Sequence, residues 1–322
     1  MRRRVVRRVL IGVGLALIAT PVISFAVTAI YWSQRADYGW APPIDQPTFT
    51  KNHPRVVVDQ AHGNASTIDY WGRYWPFGKL LRADGYDVRK GSVSFSAGSF
   101  KDVDVLVIAN ASGASIPQAF GINLPALSGK RADRSDPAFT PAEIDAISDW
   151  VEAGGSLLLI ADHAPFGESA AALGEAFGVR MFKGFVEVPG EVSDPLVYSR
   201  DTGRLGDHPI ITGSGPASRV ERVATFTGQS LEGPPSATTL LRLPYTAIEY
   251  VPTDRQGVFD SVPAGPAQGL ALEIGDGRVV VIGEAAMFTA QVHDRKPFGL
   301  SATEYDNVQF ARNVMRWLSR EL

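Results

Sequence analysis

From residue 54 onward, short apolar runs alternate with stretches whose apolar residues recur every three or four positions. The runs are "RVVVD" (Arg55 to Asp59), "YDVR" (Tyr86 to Arg89), "VDVLVIAN" (Val103 to Asn110) and "SLLLIAD" (Ser156 to Asp162). Near the end, "GLALEIGDGRVVVIGEA" reads as two strands joined by a Gly-Asp-Gly turn. Uninterrupted apolar runs of this length predict strands buried on both faces. Between them lie helical patterns around "FGKLLRADG", "FTPAEIDAISDWVEAGG", "SAAALGEAFG" and "DNVQFARNVMRWLSREL". The second carries its own start signal. Thr140 is suited to the N-cap, Pro141 to the first helical position, and Glu143 completes a capping box. The last helix should bury Val308, Ala311, Val314, Met315 and Leu318. Strand and helix alternation predicts an α/β fold with a mostly parallel sheet covered on both faces. Ligands of such sheets bind beyond the carboxyl ends of the strands.

Two stretches break the pattern. Residues 111–139 are far longer than an ordinary connection, which predicts a lid or an insertion. Residues from about 183 to 245 are rich in glycine and proline and are expected as an irregular insertion beside the sheet.

The amino terminus follows another rule. Arg2, Arg3, Arg4, Arg7 and Arg8 precede Val9 to Trp32, which contains no charged residue. A bilayer core needs about 20 apolar residues as helix, whereas the apolar part of a cleaved signal has roughly 7 to 15. The expectation is a cytoplasmic basic tail at 1–8 and a transmembrane signal-anchor at 9–32. A linker at 33–53 and an extracytoplasmic (periplasmic or extracellular) domain at 54–322 follow. "VTA" at 27–29 offers a cleavage site as the alternative.

Composition narrows the chemistry. The 322 residues include no cysteine, which excludes thiolate catalysis, thiolate metal sites and disulfides. The net charge of -3, with its basic cluster confined to the extreme amino terminus, predicts no nucleic-acid partner. "GxSxG", Walker A and "GxGxxG" patterns are absent. The aromatic stretch "DYWGRYWPF" (Asp69 to Phe77) reads as core before it reads as a sugar-stacking face.

The informative feature is where the polar residues fall. Four apolar runs each end in polar groups: Asp59, His62 and Asn64; Asn110 and Ser112; Asp162 and His163; Glu284. In a parallel sheet these tips share one rim and form a cleft. Asp162 and His163 are the candidate catalytic pair. Asp59, His62, Asn64, Asn110, Ser112 and Glu284 are the candidate ligand contacts. No cofactor is required, but His62, Asp162, His163 and Glu284, helped by His293 or Asp294, could hold a divalent metal. The alternative is structural: such histidines fix loops and such aspartates cap turns. The same choice holds for His208 in "GDHPI" (Gly206 to Ile210), which reads first as a turn.

Taken together, "DQAHGN", the long loop, "FTPAEIDAISDWVEAGGSLLLIADH", "GDHPI" and "GRVVVIGEAAMFTA" resemble the class I glutamine amidotransferase-like superfamily. The resemblance covers roughly residues 54 to 320 and is nearest to an uncharacterised branch lacking the catalytic cysteine. "DHPI" is similar to an element of trehalose-utilisation-type proteins. The resemblance implies a flavodoxin-like three-layer sandwich. It also implies a catalytic cysteine on the elbow after "LLLIADH", and a His and Glu after the last core strand. Here the elbow carries Asp162 and His163, and the last strand runs into Gly283 and Glu284. Glutamine hydrolysis by that mechanism is therefore excluded.

Two functions remain. The first is a membrane-anchored domain that binds a small polar ligand, with carbohydrate as one candidate, or a partner protein. The second is a hydrolase, with or without a metal, in which His163 is the base, Asp162 its orienter or a metal ligand, and His62 and Glu284 bind metal or substrate.

Overall fold

The computed structural model describes residues 35–70, 72–113, 118–119, 122–123, 135–191, 195–293 and 295–322. The basic tail, the 9–32 segment expected to anchor the chain and most of the 111–139 loop lie outside the described residues. Among those described, no helix is long and apolar enough to cross a membrane.

Nine strands build the central sheet. They are β1 (Arg55–Asp59), β2 (Asp87–Gly91), β3 (Val105–Ala109), β4 (Ser156–Ile160), β5 (Arg180–Met181), β6 (Leu231–Glu232), β7 (Thr238–Arg242), β8 (Ala267–Ile274) and β9 (Gly277–Ile282). Their order is β2-β1-β3-β4-β9-β8-β6-β5, with β7 also paired to β8. The first five in this order are mutually parallel. The remaining pairings are antiparallel. The Gly275-Asp276 turn between β8 and β9 matches expectation, with Gly275 at φ 57°.

β3 and β4 are buried at every position, which is why they read as unbroken apolar runs. Alternate side chains serve opposite faces. Val105, Val107, Leu158, Ile160, Val280 and Ile282 join one core with the helices α1 (Trp75–Ala83) and α4 (Asn307–Leu318). Leu106, Ile108, Leu157, Leu159, Val279 and Val281 join a second core with α2 (Pro141–Glu152) and α3 (Phe166–Ala176). The result is helix, sheet, helix in three layers.

Two expectations need correction. The 33–53 stretch is not a free linker over its described part. Arg35–Ala36 pairs with Ala290–His293, Trp40, Ile44 and Phe49 pack on the first core, and Phe49 meets Tyr86 edge-on at 4.8 Å. The 183–245 stretch is not wholly beside the sheet either, since it supplies β6 and β7. Its remainder includes the paired strands Leu196–Ser199 and Arg222–Thr225. Phe185–Glu187 joins Ile248–Pro252 and Phe259–Pro263 in a three-stranded sheet.

Candidate functional site

The eight candidate residues divide into two groups, a hydrogen-bonded corner and a set that lines a cavity. The first group is a buried corner after β1. His62 Nδ1 meets both carboxylate oxygens of Asp59 at 2.9 and 3.0 Å, and its Nε2 meets Glu143 Oε1 at 2.9 Å. The ring lies against Phe95 and Phe139, with centroids 4.7 and 4.8 Å away. Asn64 Nδ2 donates to Asp59 Oδ2 at 3.0 Å, and the backbone N–H groups of Ala61 and His62 bond the Asp59 and Asn64 side chains. Ser112 adds its backbone N–H to the carbonyl of His62 at 2.9 Å. His62, Asp59 and Asn64 are 8, 0 and 7% exposed.

A ring with a carboxylate on each nitrogen is held as imidazolium. Burial alone would lower the His62 pKa, but the bonds to Asp59 and Glu143 outweigh it and the value is raised. For Glu143 burial likewise opposes the net shift. His62, the Thr140 cap and the Phe95 N–H draw its pKa down to about 2. Asp59, His62, Asn64 and Ser112, expected as ligand contacts, bond one another and fix a loop, as the structural alternative expected. Both nitrogens of His62 are spent, so it has no lone pair to offer a metal. Among the described residues no three His, Asp or Glu side chains converge as a metal site, and the set His62, Asp162, His163 and Glu284 does not assemble. Asp294 lies outside the described residues.

The second group lines a cavity of about 230 Å³ beyond the carboxyl ends of β3, β4 and β9. Asn110, Asp162, His163 and Glu284 all face it, joined by Arg73 and Gln291. β4 ends in a turn before α3, so adjacent Asp162 and His163 can both reach the same space. Asn110 sits one residue past β3 at φ 49°, a left-handed backbone that Asn tolerates better than most side chains. Its Oδ1 accepts the Asp162 N–H at 2.9 Å, which ties the two strand tips together.

His163 Nδ1 lies 2.7 Å from the carbonyl of Ala164. Only a protonated nitrogen can bond a carbonyl, so in the neutral ring Nε2 carries the lone pair. The ring stacks on Phe185, centroids 4.5 Å apart. Asp162 does not orient that ring, contrary to expectation. Its Oδ1 accepts the His163 backbone N–H at 2.8 Å instead. Glu284 takes the N–H groups of Ala286 and Met287 on its two oxygens, each at 2.7 Å. Burial followed by the charges of Glu284 and Asp162 raises the Tyr74 pKa well above its usual value.

Arg73 and Gln291 were not legible as site residues. Burial lowers the Arg73 pKa, with the charge of Asp162 opposing. Gln291 is 1% exposed. Its Nε2 donates to Thr289 Oγ1, whose own proton goes to the Ala286 carbonyl at 2.8 Å. That fixes the amide orientation and leaves Gln291 Oε1 as a buried acceptor with no hydrogen-bond partner among the described residues. An orphaned acceptor of this kind costs about 1–3 kcal/mol.

Two features lie elsewhere. His208 N-caps the short helix Pro209–Thr212, accepting the Ile210 N–H on Nδ1 at 3.2 Å, and packs edge-on against Trp317. Burial pushes its pKa down to about 4. It is a cap, as the turn reading required. A second cavity of about 570 Å³ lies at the opposite, amino end of the sheet beside Arg55, Asp104 and Ser156. Its ionic groups are spent within the protein: Arg55 pairs with Asp102 at 2.9 Å, and Arg320 bonds the Gly154 carbonyl at 3.1 Å.

No protein-family model matches the chain, and no curated protein matches it either. Solved structures do. The fold is similar to one described as the mmIFT52 N-terminal domain, with a TM-score of 0.56 and 13% identity over 82% of this chain and 97% of that one. Other matches include a ThuA-like protein from Bacteroides uniformis, with a TM-score of 0.39 and 12% identity over 85% and 95% of the two chains. A protein described as one subunit of GMP synthase, from Thermoplasma acidophilum, gives a TM-score of 0.42 and 10% identity over 84% and 96%. At such identity the first likeness speaks for the fold alone.

Proposed function

We propose that this chain is an amidotransferase-like domain of flavodoxin-like build that lacks amidotransferase activity and binds a small polar ligand in the strand-end cavity. The domain is extracytoplasmic, held to the membrane by residues 9–32. Support for the build comes from the parallel order β2-β1-β3-β4-β9, with a sharp turn after β4 where the resemblance calls for a cysteine. Here that turn carries Asp162 and His163, and the chain has no thiol.

The observation that carries the ligand reading is the orphaned Oε1 of Gln291 on a residue lining the cavity. A buried acceptor left open is a cost to the empty protein and a gain to whatever fills the site with a donor. Gln291→Leu tests this through two readouts. Without ligand the variant should equal or exceed the wild type in thermal stability, because a polar orphan has been removed. Against a panel of sugars, polyols, amino acids and small carboxylates, the compound that raises the wild-type Tm should lose its effect. Equal Tm gains in both proteins, or no gain with any compound, would sink the reading.

One observation favours a hydrolase as the second reading: the His163 lone pair stands on Nε2 at the cavity wall, where a base is useful. The same panel separates the two. A binding module returns the compound intact. A hydrolase returns it cleaved, with cleavage lost in His163→Ala.

A further inference from the structure

We propose that the ligand is polyhydroxylated and is gripped through a vicinal diol by Asn110 and Asp162. This rests on the small-ligand reading above and names its chemical class. The two side chains stand at the tips of adjacent parallel strands, β3 and β4, paired in register up to Ala109 and Ile160. The bond from the Asp162 N–H to Asn110 Oδ1 at 2.9 Å settles which way the amide faces, so Nδ2 is its remaining polar atom. Asp162 Oδ1 is taken by the His163 N–H, so Oδ2 remains. Neither remaining atom has a hydrogen-bond partner among the described residues, and both belong to residues lining the cavity.

The grip is therefore one donor beside one acceptor. His163 Nε2 and Gln291 Oε1 add two more acceptors without hydrogen-bond partners. Three ligand classes can be weighed against that set. An anion would meet the carboxylates of Asp162 and Glu284 and the two neutral acceptors, against the single cation Arg73 among the described lining residues. An ammonium group would satisfy the acceptors, but it would leave Asn110 Nδ2 facing another donor and put a second cation near Arg73. A diol satisfies both atoms, because each hydroxyl donates once and accepts twice. Further hydroxyls on the same ring can donate to His163 and Gln291. Binding pockets usually hold about 300–1,000 Å³. A volume of about 230 Å³ is below that range and suits a single sugar or cyclitol ring rather than an oligosaccharide.

A donor–acceptor swap tests the grip. Asn110→Asp keeps the shape, the Oδ1 acceptor and a residue that tolerates positive φ, but turns the donor into an acceptor. Asp162→Asn makes the opposite change. A diol can present either order of donor and acceptor, so the double variant should bind again where each single variant fails. The full chain, in a detergent without sugar headgroups, is titrated with hexoses, pentoses and myo-inositol, and with L-lysine and L-glutamine as non-polyol controls. The expected result is binding of at least one polyol, weakened at least about 10-fold in each single variant and restored to within about threefold in the double. Circular dichroism confirms that each variant is folded. Polyol binding that the single variants leave unchanged overturns the grip. Binding of lysine or glutamine without any polyol overturns the polyol class while leaving the small-ligand reading intact. Binding of none of these compounds overturns both.

Discussion

His62 has the most heavily committed side chain among the candidates, and its commitments set a pH window. The His62 pKa is raised from 6.5. Its contribution to stability is fully present below 6.5 and is lost as pH rises through the folded-state value. The Glu143 pKa is lowered from 4.5 to about 2. Its contribution is present above 4.5 and is lost as pH falls through about 2. The corner should thus contribute most between about pH 4.5 and 6.5. Removing the cation leaves two buried carboxylates facing each other, so His62→Ala should cost about 3–5 kcal/mol in urea unfolding at pH 5.5. It should also remove the decline in stability expected of the wild type as pH rises above 6.5. A variant as stable as the wild type at pH 5.5 would mean that the ring is not charged there. The residue scale also shows why the internal bonding of this corner is not legible in the sequence. "DQAH" looks like a rim because the strand ends at Asp59, yet the chain turns His62 back toward Glu143. Glu143 was legible only as the second half of a capping box. Nothing in sequence spacing marks that one of its oxygens serves Thr140 while the other serves a histidine 81 residues away.

At the scale of elements, legibility followed burial. Strands β1, β3, β4 and β9 were readable because helix layers cover both faces of the sheet, so almost every position had to be apolar. Asn110, Asp162 and Glu284 were readable with them, because a polar residue directly after such a run has to be at a strand tip. β5 and β6 are two residues long and carry no period to read. Arg73 precedes α1, and Gln291 sits in Ala290–His293, away from the central sheet. Neither follows an apolar run, so nothing distinguished them from surface polar residues. His208 belongs to this scale as well, since it acts on a helix end. Its pKa is lowered from 6.5 to about 4, so the unfolded chain binds a proton between those values that the folded chain refuses. Stability therefore falls as pH drops from about 6.5 to 4, whereas the His62 contribution is complete below 6.5 and falls only as pH rises above it. An Asn at this position offers an uncharged acceptor of good capping type. His208→Asn should match the wild type at pH 7.5 and exceed its stability at pH 4.5. A variant that loses stability equally at both pH values would show that packing on Trp317, not the proton, dominates there.

For the molecule as a whole, the decisive relation is between the cavity and the amino-terminal segment. Arg35–Ala36 is hydrogen-bonded into the sheet beside Val292 and Gln291, and Gln291 lines the cavity. Tyr38 feels the charge of Arg73, which lines it as well. An extended chain covers at most about 3.6 Å per residue. If residues 9–32 span the bilayer, as proposed, Ala36 cannot lie more than about 14 Å along the chain from the membrane-spanning segment. The carboxyl-end rim then faces the bilayer, and the Gly275-Asp276 turn at the amino end of β9 faces away. The cysteine-free chain makes this measurable with single thiols. Thr227→Cys places a fluorophore at the cavity, and Asp276→Cys places one at the far turn, which is exposed. With full-length protein in vesicles carrying headgroup nitroxide lipids, the Thr227 site should be strongly quenched and the Asp276 site weakly. Equal weak quenching at both sites would detach the cavity from the membrane surface. Reversed quenching would turn the domain over, and the short tether would then have to be longer than the pairing of Ala36 with Gln291 allows.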